Sequence, residues 1–438
     1  MKLLLTTLAI VYLSLFMSLQ AQEQVRVIPY PAEVTMQAET CKLKSGQKIH
    51  YLDASLYKEA AFLEKKLADL NYKMKVIPGK KAAKGINLSL NNRLQNKEGY
   101  QLIIAPKQVL IKGGSPAGVF YGIQTLLQQL TNGDLRCGTI EDAPRYEWRG
   151  YMLDEARHFS GERVKQILDL MAYYKMNRFH WHLTDAQGWR IEIKQYPKLA
   201  TIGGEGCHSD PDTPAQYYTQ EQIRDIIAYA KERHIEIIPE IDMPGHAEAA
   251  LHSYPELGCF NRPVEIPKLG FTPNIFCAGK ENTLQFLKNV LDEICTLFPS
   301  SYIHLGGDEA PKDNWNKCPD CQKRITDLGL KNSHDLQLWF SAQMAEHLKS
   351  KGKKAIFWGD VVYNDGYPLP DNIVIQWWNY RGHKDLALRN ALRHHYPVIC
   401  STNYYTYLNF PLTPWKGYEQ ARTFDLKDVY MNNPSYKA

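Results

Sequence analysis

Residues 302–309 of this 438-residue chain are Tyr-Ile-His-Leu-Gly-Gly-Asp-Glu. The apolar first half predicts a strand, which runs into Gly306 and Gly307 and then into the adjacent carboxylates Asp308 and Glu309. Neighbouring residues of a regular strand point to opposite faces, but two glycines let the backbone leave strand geometry. We therefore expect both acids to reach one pocket.

The chain from Arg149 onward alternates short apolar strands with amphipathic helices. This alternation is typical of parallel β/α architecture. The helices have recognisable starts, since Thr219 and Gln222, for example, form a capping-box sequence. Seven strands are predicted, at Gly150–Asp154, Arg178–Leu183, Glu236–Ile241, Tyr302–Leu305, Ala355–Trp358, Ile373–Trp377 and Pro397–Cys400.

Polar side chains follow the first four of these strands. A (β/α)8 barrel of the TIM type collects the carboxyl ends of its strands on one face, so these side chains would converge there. A doubly wound α/β sheet is the competing fold, but it usually binds its ligand beside a glycine-rich phosphate turn, and the sequence has none. The converging residues are Arg157, Asp185, Asp242, His246, Asp308 and Glu309.

The residues before this repeat predict a small α+β domain. We place it at residues 22–143, with the barrel domain at 144–438. Its predicted strands are Gly99–Ala105 and Gln108–Lys112, and its predicted helices are Leu56–Leu70 and Ser115–Leu130. No residue in this domain suggests chemistry.

Residues 1–21 predict a secretory signal peptide. Lys2 precedes an apolar stretch from Leu3 to Leu19, and the mature chain is expected to start near Gln22. A membrane anchor is the alternative, but the apolar run is short, contains Thr and Ser, and has no later counterpart. We expect a periplasmic or extracellular protein without a stable membrane span.

The composition is that of a soluble globular protein, with 44% hydrophobic and 23% charged residues. A net charge of +5 is too small and too evenly spread to predict nucleic-acid binding. The sequence makes no prediction of oligomeric state.

Nine cysteines are an odd number, so at least one thiol stays free or pairs outside the chain. Cys318-Pro-Asp-Cys321 resembles half a zinc knuckle, but no second Cys-x-x-Cys and no suitably spaced His pair follows. A disulfide that closes the loop, or a pair of free thiols, is therefore favoured over a metal. A zinc site from His180, His182, His246 and Asp242 is not expected either, because its third ligand lacks local spacing. We predict no metal and no cofactor.

Two carboxylates in one pocket suit the hydrolysis of glycosidic bonds. One must begin protonated, to donate to the leaving oxygen, while the other stays charged. An isolated Asp-Glu pair is more often a solvated acidic turn. Here the preceding glycines and the acids after neighbouring strands favour a catalytic site.

Four motifs in the stretch from residue 28 to residue 430 resemble those of glycoside hydrolase family 20, the β-N-acetylhexosaminidases. They are Arg-Gly-x-x-Leu-Asp-x-x-Arg-His at 149–158, His-Leu-Thr-Asp-x-x-Gly-Trp-Arg at 182–190, Pro-Glu-Ile-Asp-Met-Pro-Gly-His at 239–246 and His-x-Gly-Gly-Asp-Glu at 304–309. The resemblance implies an exo-acting retaining enzyme that removes terminal β-linked GlcNAc or GalNAc. In this family the sugar's own 2-acetamido oxygen attacks C1 and gives an oxazolinium intermediate.

The resemblance also implies roles for the acids. Glu309 matches the general acid, later the base, and Asp308 the carboxylate that orients the acetamido group and offsets the charge on its nitrogen. Asp185, Asp242 and His246 match residues that line the same pocket. His246, with His304 as a second candidate, would tune the carboxylates through hydrogen bonds.

Aromatic and basic residues match the family's sugar contacts. Tyr407 matches the tyrosine that hydrogen-bonds the acetamido oxygen, although it lies in a tyrosine-rich segment where a packing role is the alternative. Trp358 and Trp378 match the tryptophans that wall the acetamido pocket; each alone would more often be packing. Arg157 matches the arginine that binds the 3- and 4-hydroxyls, and a salt bridge to a nearby acid is its alternative.

The chain departs from the family pattern twice. Asn409 stands where the family usually places an Asp that contacts outer hydroxyls, so affinity or epimer preference is expected to differ. After seven strands the chain ends without the strand that brings a Trp-x-Glu segment to the sugar. We therefore expect a truncated form or fragment of a longer enzyme.

The main hypothesis is a working hexosaminidase acting on N-acetylhexosamine-terminated glycans or chitooligosaccharides. The alternative from another class is an inactive or weakly active carbohydrate-binding fragment, which the missing strand favours. A chitinase-like barrel fits less well, because the expected Asp-x-x-Asp-x-Asp-x-Glu run is absent.

Overall fold

The computed structural model describes residues 25–131, 135–206, 212–268, 270–378, 384–403, 405–408 and 425–433. These residues form two compact units. The first comprises the residues up to Arg149 with Gln166–Asn177 and Ala230–Ile235, and the second comprises Gly150–Lys165, Arg178–Tyr229 and the chain from Glu236 onward. No helix within the described ranges is long and apolar enough to cross a membrane.

A mixed seven-stranded sheet forms the centre of the first unit. The order of its strands is β1-β7-β5-β6-β4-β2-β3, with parallel pairing from β6 through β4 and β2 to β3 and antiparallel pairing elsewhere. The strands are β1 Glu33–Cys41, β2 Lys48–Tyr51, β3 Lys75–Pro78, β4 Gly85–Leu90, β5 Tyr100–Ala105, β6 Gln108–Gly113 and β7 Leu135–Asp142.

Two helices pack against this sheet. They are α1 Tyr57–Asp69 and α2 Pro116–Thr131, and α2 lies on β5 and β6. The apolar residues that recur at helical spacing are buried, as the pattern predicts. Ala60, Leu63 and Leu67 of α1 are fully buried. The two predicted strands and two predicted helices of this region are present; the other five strands were not predicted.

The second unit is built on a parallel sheet whose seven strands are the seven predicted from the sequence. Their order is β16-β15-β14-β13-β12-β9-β8, so each pairs with its neighbour along the chain, as in a TIM-type barrel. The strands are β8 Gly150–Asp154, β9 Arg178–His182, β12 Glu236–Glu240, β13 Tyr302–His304, β14 Lys354–Trp358, β15 Ile373–Trp377 and β16 Val398–Cys400. A short hairpin, β10 Thr184–Asp185 and β11 Gly188–Trp189, follows β9.

Helices connect these strands. The predicted capping box is present on α5, where the Thr219 N–H donates to Gln222 Oε1 and the Gln222 N–H donates to Thr219 Oγ1. The helices are α3 Gly161–Tyr173, α4 Lys198–Thr201, α5 Gln220–Lys231, α6 Glu248–Ser253, α7 Glu281–Leu297, α8 Asp313–Lys317, α9 Pro319–Asp327, α10 Ser333–Ser350, α11 Lys384–Arg393 and α12 Leu426–Met431.

The register of the sheet lines up the carboxyl ends of its strands. Asp154 pairs with His182, His182 with Glu240, and Glu240 with His304. These residues therefore form one row across four strands. The loops that leave this row carry the polar residues that the sequence predicts to converge.

Candidate active site

The backbone turns sharply after β13. Gly306 and Gly307 have φ angles of +64° and +100°, and Glu309 itself has a φ of +43°. A side chain at 306 would collide with a neighbour, because a Cβ there would lie 1.7 Å from Asp242 Oδ1. The segment thus leaves strand geometry where the two glycines occur, and Asp308 and Glu309 follow that turn.

His246 connects three acids. Its Nδ1 lies 2.8 Å from Asp185 Oδ1, and its Nε2 lies 3.7 Å from both Asp308 Oδ2 and Glu309 Oε2. Burial opposes a charge on this imidazole, but Asp308 and Asp185 raise the pKa of His246 well above its usual value. Burial would also raise the pKa of Asp185, yet hydrogen bonds from His182 and His246 hold it below its usual range. The acids around this imidazole therefore favour its charged form.

Asp242, which is buried, and Asp308, whose side chain is 16% exposed, form an acidic pair beside this imidazole. Asp242 Oδ1 accepts a hydrogen bond from the Gly307 N–H at 3.0 Å, while Asp242 Oδ2 and Asp308 Oδ1 are buried without a hydrogen-bond partner in the described residues. Burial raises the pKa of Asp242 to about 7. Burial and the nearby charge of Asp242 raise the pKa of Asp308 well above the normal range. Buried polar atoms in proteins are normally paired, so these oxygens are available for a ligand.

Glu309 is the more accessible acid, with its side chain 40% exposed. Burial raises the pKa of Glu309, His246 opposes this shift, and the negative charge of Asp360 adds to it. A carboxyl group that keeps its proton toward neutral pH can act as a general acid.

Three aromatic side chains and an acid form a wall near this pair. The Trp378 ring stacks on the Tyr407 ring with centroids 6.1 Å apart, and the Trp358 ring meets Trp378 edge-on at 6.5 Å. Trp378 Nε1–H donates to Asp360 Oδ2 at 2.6 Å. Burial, together with Asp308 and other nearby carboxylates, raises the pKa of Tyr407 well above its usual value, so its hydroxyl stays protonated and can donate.

Glu240 contacts the histidines of the row at the strand ends and was given no role from the sequence. It is fully buried and receives a hydrogen bond from Trp358 Nε1–H at 2.8 Å. Its Oε2 lies 2.6 Å from both His180 Nε2 and His182 Nδ1. Burial alone would raise the pKa of Glu240, but His182 beside it holds it well below the usual range.

The contacts of His304 also run to Glu240. His304 Nδ1 lies 3.1 Å from Glu240 Oε1, and the His304 ring stacks on that of His180 at 4.5 Å. The sequence made His304 a second candidate for tuning the catalytic carboxylates. In the structure its contact is with Glu240. Burial lowers the pKa of His304 to about 4.

The same row is poorly suited to a metal ion. His180, Glu240 and His304 offer ligand atoms within 4.8 Å of one another. However, ligands about 2.0–2.2 Å from a tetrahedral zinc ion lie roughly 3.3 Å apart. The 2.6 Å contacts of Glu240 with His180 and His182 are shorter than that separation, and the contact with His180 is a hydrogen bond.

The remaining sugar-contact residues have different outcomes. Arg157 Nη1 lies 3.7 Å from Asp154 Oδ2, the salt bridge weighed as its alternative, and both side chains are about half exposed. Asn409 lies outside the described residues. Asp360 was not predicted from the sequence. It lies two residues after Trp358, the last residue of β14, and an acid just after a predicted strand is the signal that would have identified it.

The family models decide the assignment. The description "Glycosyl hydrolase family 20, catalytic domain" matches residues 146–438, and "Glycosyl hydrolase family 20, domain 2" matches residues 24–143. The chain belongs to glycosyl hydrolase family 20.

Similar family 20 proteins include solved structures. The β-N-acetylhexosaminidase from Bacteroides fragilis is 51% identical, with a TM-score of 0.85, and the match covers 94% of this chain and 82% of that one. The Vibrio harveyi exo-β-N-acetylglucosaminidase in complex with N-acetylglucosamine is 30% identical, with a TM-score of 0.77 over 89% of this chain and 62% of that one.

A curated family 20 relative is longer than the matched region. The β-hexosaminidase of Porphyromonas gingivalis is 41% identical over 371 residues, which are 81% of this chain and 47% of that protein. The match thus spans about half the length of this relative.

Proposed function

We propose that this chain is an exo-acting, retaining β-N-acetylhexosaminidase that hydrolyses terminal β-linked GlcNAc or GalNAc. The placement of His246 carries the proposal: its Nε2 lies 3.7 Å from both Asp308 and Glu309 while its Nδ1 is held by Asp185. The two acids therefore share one histidine although their exposures differ. Family membership and the relatives named for this activity support the same conclusion.

The difference in exposure suggests how the two acids divide the work. Glu309, partly exposed and with a raised pKa, donates its proton to the leaving glycosidic oxygen. Asp308 is less exposed and has one oxygen without a hydrogen-bond partner in the described part of the chain, and this oxygen accepts the acetamido N–H. Tyr407, whose ring stacks on Trp378, donates a hydrogen bond to the acetamido carbonyl oxygen in this proposal.

The reaction then follows from these positions. The acetamido oxygen attacks C1 as the C1–O bond breaks, and the leaving oxygen takes the proton of Glu309. The resulting oxazolinium nitrogen is positive. This charge lowers the pKa of the adjacent Asp308, which is raised in the empty site, and the carboxylate of Asp308 stabilises the intermediate. Glu309, now a carboxylate, removes a proton from water as that water attacks C1, which restores the acid and releases the sugar with retained configuration.

The sugar class follows from the wall beside the acids. Trp358 and Trp378 offer apolar faces to a methyl group, and Asp360, which accepts the Trp378 indole N–H, offers a carboxylate to a ring hydroxyl. Arg157, which pairs with Asp154, is the arginine that the family resemblance assigns to the ring hydroxyls. This combination suits N-acetylhexosamine-terminated glycans or chitooligosaccharides. The relative from Vibrio harveyi was solved with N-acetylglucosamine bound.

Paired chromogenic substrates test the proposal. The purified chain should release the aryl group from aryl N-acetyl-β-glucosaminide or -galactosaminide, and the ratio of the two rates gives the epimer preference. It should not hydrolyse the aryl β-glucoside, which lacks the internal nucleophile. Equal rates on the glucoside would exclude the substrate-assisted mechanism, whereas binding of N-acetylglucosamine without turnover would favour the carbohydrate-binding alternative.

We also propose that the chain is exported to the periplasm or outside the cell. The proposal rests on the signal-like composition of residues 1–21, which lie outside the described residues. Sequencing the amino terminus of the protein isolated from its source should give a start near Gln22. A mature protein that retains Lys2 would contradict it.

A further inference from the structure

Four buried cysteines form a cluster away from the acids. Cys259, Cys277, Cys318 and Cys321 each offer one sulfur, and all four sulfurs lie within 4.8 Å of one another. Cys277, Cys318 and Cys321 are fully buried and Cys259 is 9% exposed. None of the eight cysteines in the described residues is disulfide bonded.

The spacing of the sulfurs is that of a tetrahedral metal site. The Sγ–Sγ distances are 3.6 Å for Cys277 and Cys321, 3.7 Å for Cys277 and Cys318, and 4.0 Å for Cys259 and Cys321. Zinc binds thiolates at about 2.3 Å, which places the sulfurs of a regular tetrahedron about 3.8 Å apart.

We propose that Cys259, Cys277, Cys318 and Cys321 bind a structural Zn²⁺ ion as four thiolates. Binding forms four Zn–S bonds and releases the thiol protons to solvent, with no oxidation or reduction. Four protein ligands leave no open position, so the ion takes no part in hydrolysis. This proposal is independent of the hexosaminidase activity.

The local backbone fits such a site. Cys318-Pro-Asp-Cys321 begins α9 with Pro319 in its first turn, and this provides the Cys-x-x-Cys half of the cluster. Gly279 lies two residues after Cys277, in the other half of the cluster. Gly279 also packs so closely that a Cβ there would lie 2.3 Å from the Cys321 backbone nitrogen.

A disulfide would fit the distances less well. A disulfide joins two sulfurs at about 2.05 Å and leaves the others apart. Here Cys277 lies almost equally far from Cys318 and Cys321, at 3.7 and 3.6 Å, so no pair is singled out. Near-equal separations are what a central ion imposes.

The cluster fastens a loop that reaches the active site. Cys259 and Cys277 bracket the loop that carries Phe271, whose ring lies 5.3 Å from that of His246. Cys318 and Cys321 lie in the segment that follows the catalytic pair. The ion would join the loops after β12 and β13, which hold His246 and Glu309.

Metal content of the full chain is the first test. Protein purified without chelator should contain about one zinc ion per chain by elemental analysis. In denaturant without chelator, the four cluster thiols should react slowly, and addition of a chelator should make them all reactive. If no metal is found and four thiols stay unreactive even with chelator, the cluster contains two disulfides. If no metal is found and every thiol reacts, the four cysteines only pack together. Stoichiometric iron would overturn zinc as the ion; each of these results contradicts the proposal.

Variants then assign the ligands. Cys321→Ser should lose bound zinc, whereas Cys295→Ser, at a half-buried cysteine on α7 outside the cluster, should keep it. Cobalt loaded in place of zinc should give the intense thiolate-to-cobalt absorption of a tetrahedral site in the parent and in Cys295→Ser. If Cys321→Ser does not fold, the metal and thiol analyses of the parent still decide. A parent that takes up cobalt without this absorption would exclude four-thiolate ligation.

Discussion

Gly306 and Asp242 are in direct contact between the loops that follow the adjacent strands β13 and β12. A Cβ on residue 306 would lie 1.7 Å from Asp242 Oδ1 and 2.9 Å from its Cα. Asp242 Oδ1 in turn accepts the Gly307 N–H. The absence of a side chain at 306 therefore sets the position of Asp242 and, through the same turn, that of Asp308.

Gly306→Ala should reduce both stability and turnover. The residue combines a positive φ, which costs an alanine about 1–2 kcal/mol, with a collision against Asp242. We expect a loss in unfolding free energy above that range and a large fall in kcat, measured by urea unfolding and by aryl-substrate turnover. Gly352→Ala is the control, because Gly352 also has a positive φ of +73° but no atom within 4 Å of its Cβ. Equal losses in the two variants would show that the contact with Asp242 is unimportant.

Glu309→Gln should remove the proton donor and keep the shape of the site. We expect kcat to fall by roughly 10²- to 10⁴-fold with little change in KM. The loss should be greater for an alkyl or sugar leaving group than for nitrophenyl, since a good leaving group needs less protonation. The comparison requires kcat for both substrates in parent and variant. A loss independent of the leaving group would argue against the acid role.

Asp308→Asn should slow the same substrates for a different reason. The amide cannot stabilise the positive charge that develops on the acetamido nitrogen, so kcat should fall by roughly 10²- to 10³-fold. This loss should be nearly the same for good and poor leaving groups. Parent-like turnover in this variant would contradict the role given to Asp308.

The pH profile of kcat/KM should respond in opposite directions to two substitutions. Asp360 raises the pKa of Glu309, and His246 lowers it. Because the acid must be protonated, activity is lost as the pH rises through the pKa of Glu309. Asp360→Asn should move this basic limb to lower pH, and His246→Gln should move it to higher pH. Shifts of the same sign would mean that another group controls the limb.

Glu240→Gln should destabilise the fold, most strongly at mildly acidic pH. The substitution leaves His182 buried beside a neutral amide, and breaking a buried ion pair costs about 3–5 kcal/mol. Folding raises the pKa of His182 above about 6.5, the pKa of an unfolded histidine. The ion pair therefore contributes its full stability below about pH 6.5, and this contribution is lost as the pH rises through the pKa of His182 in the folded protein. The difference between parent and variant in urea unfolding should therefore shrink at alkaline pH.

Glu346→Gln is the control for this experiment, because Glu346 is exposed on α10. Its effect should stay within about 0.5 kcal/mol at every pH. A pH-independent loss in Glu240→Gln would show that packing, and not the ion pair with His182, is responsible.

The sequence by itself determined the seven parallel strands and the acids that follow them. Each strand is a short apolar run before polar residues, a local pattern that requires no knowledge of distant contacts. The Gly-Gly-Asp-Glu segment likewise predicted its own turn. In the first unit, strands such as β1 and β3 were not predicted, because their residues are largely exposed and carry little apolar alternation.

Only the tertiary structure decided what the distant residues do. Glu240 lies within a quoted motif, yet its role depends on His180 and His182, which reach it from the neighbouring strand β9. The thiols of Cys259 and Cys277 are likewise far in sequence from the Cys-x-x-Cys pair they approach. Local spacing reveals a ligand set only when one element carries it. Where separate loops converge, the fold brings the charges and sulfurs within a few ångströms, and pairing energies depend on that distance.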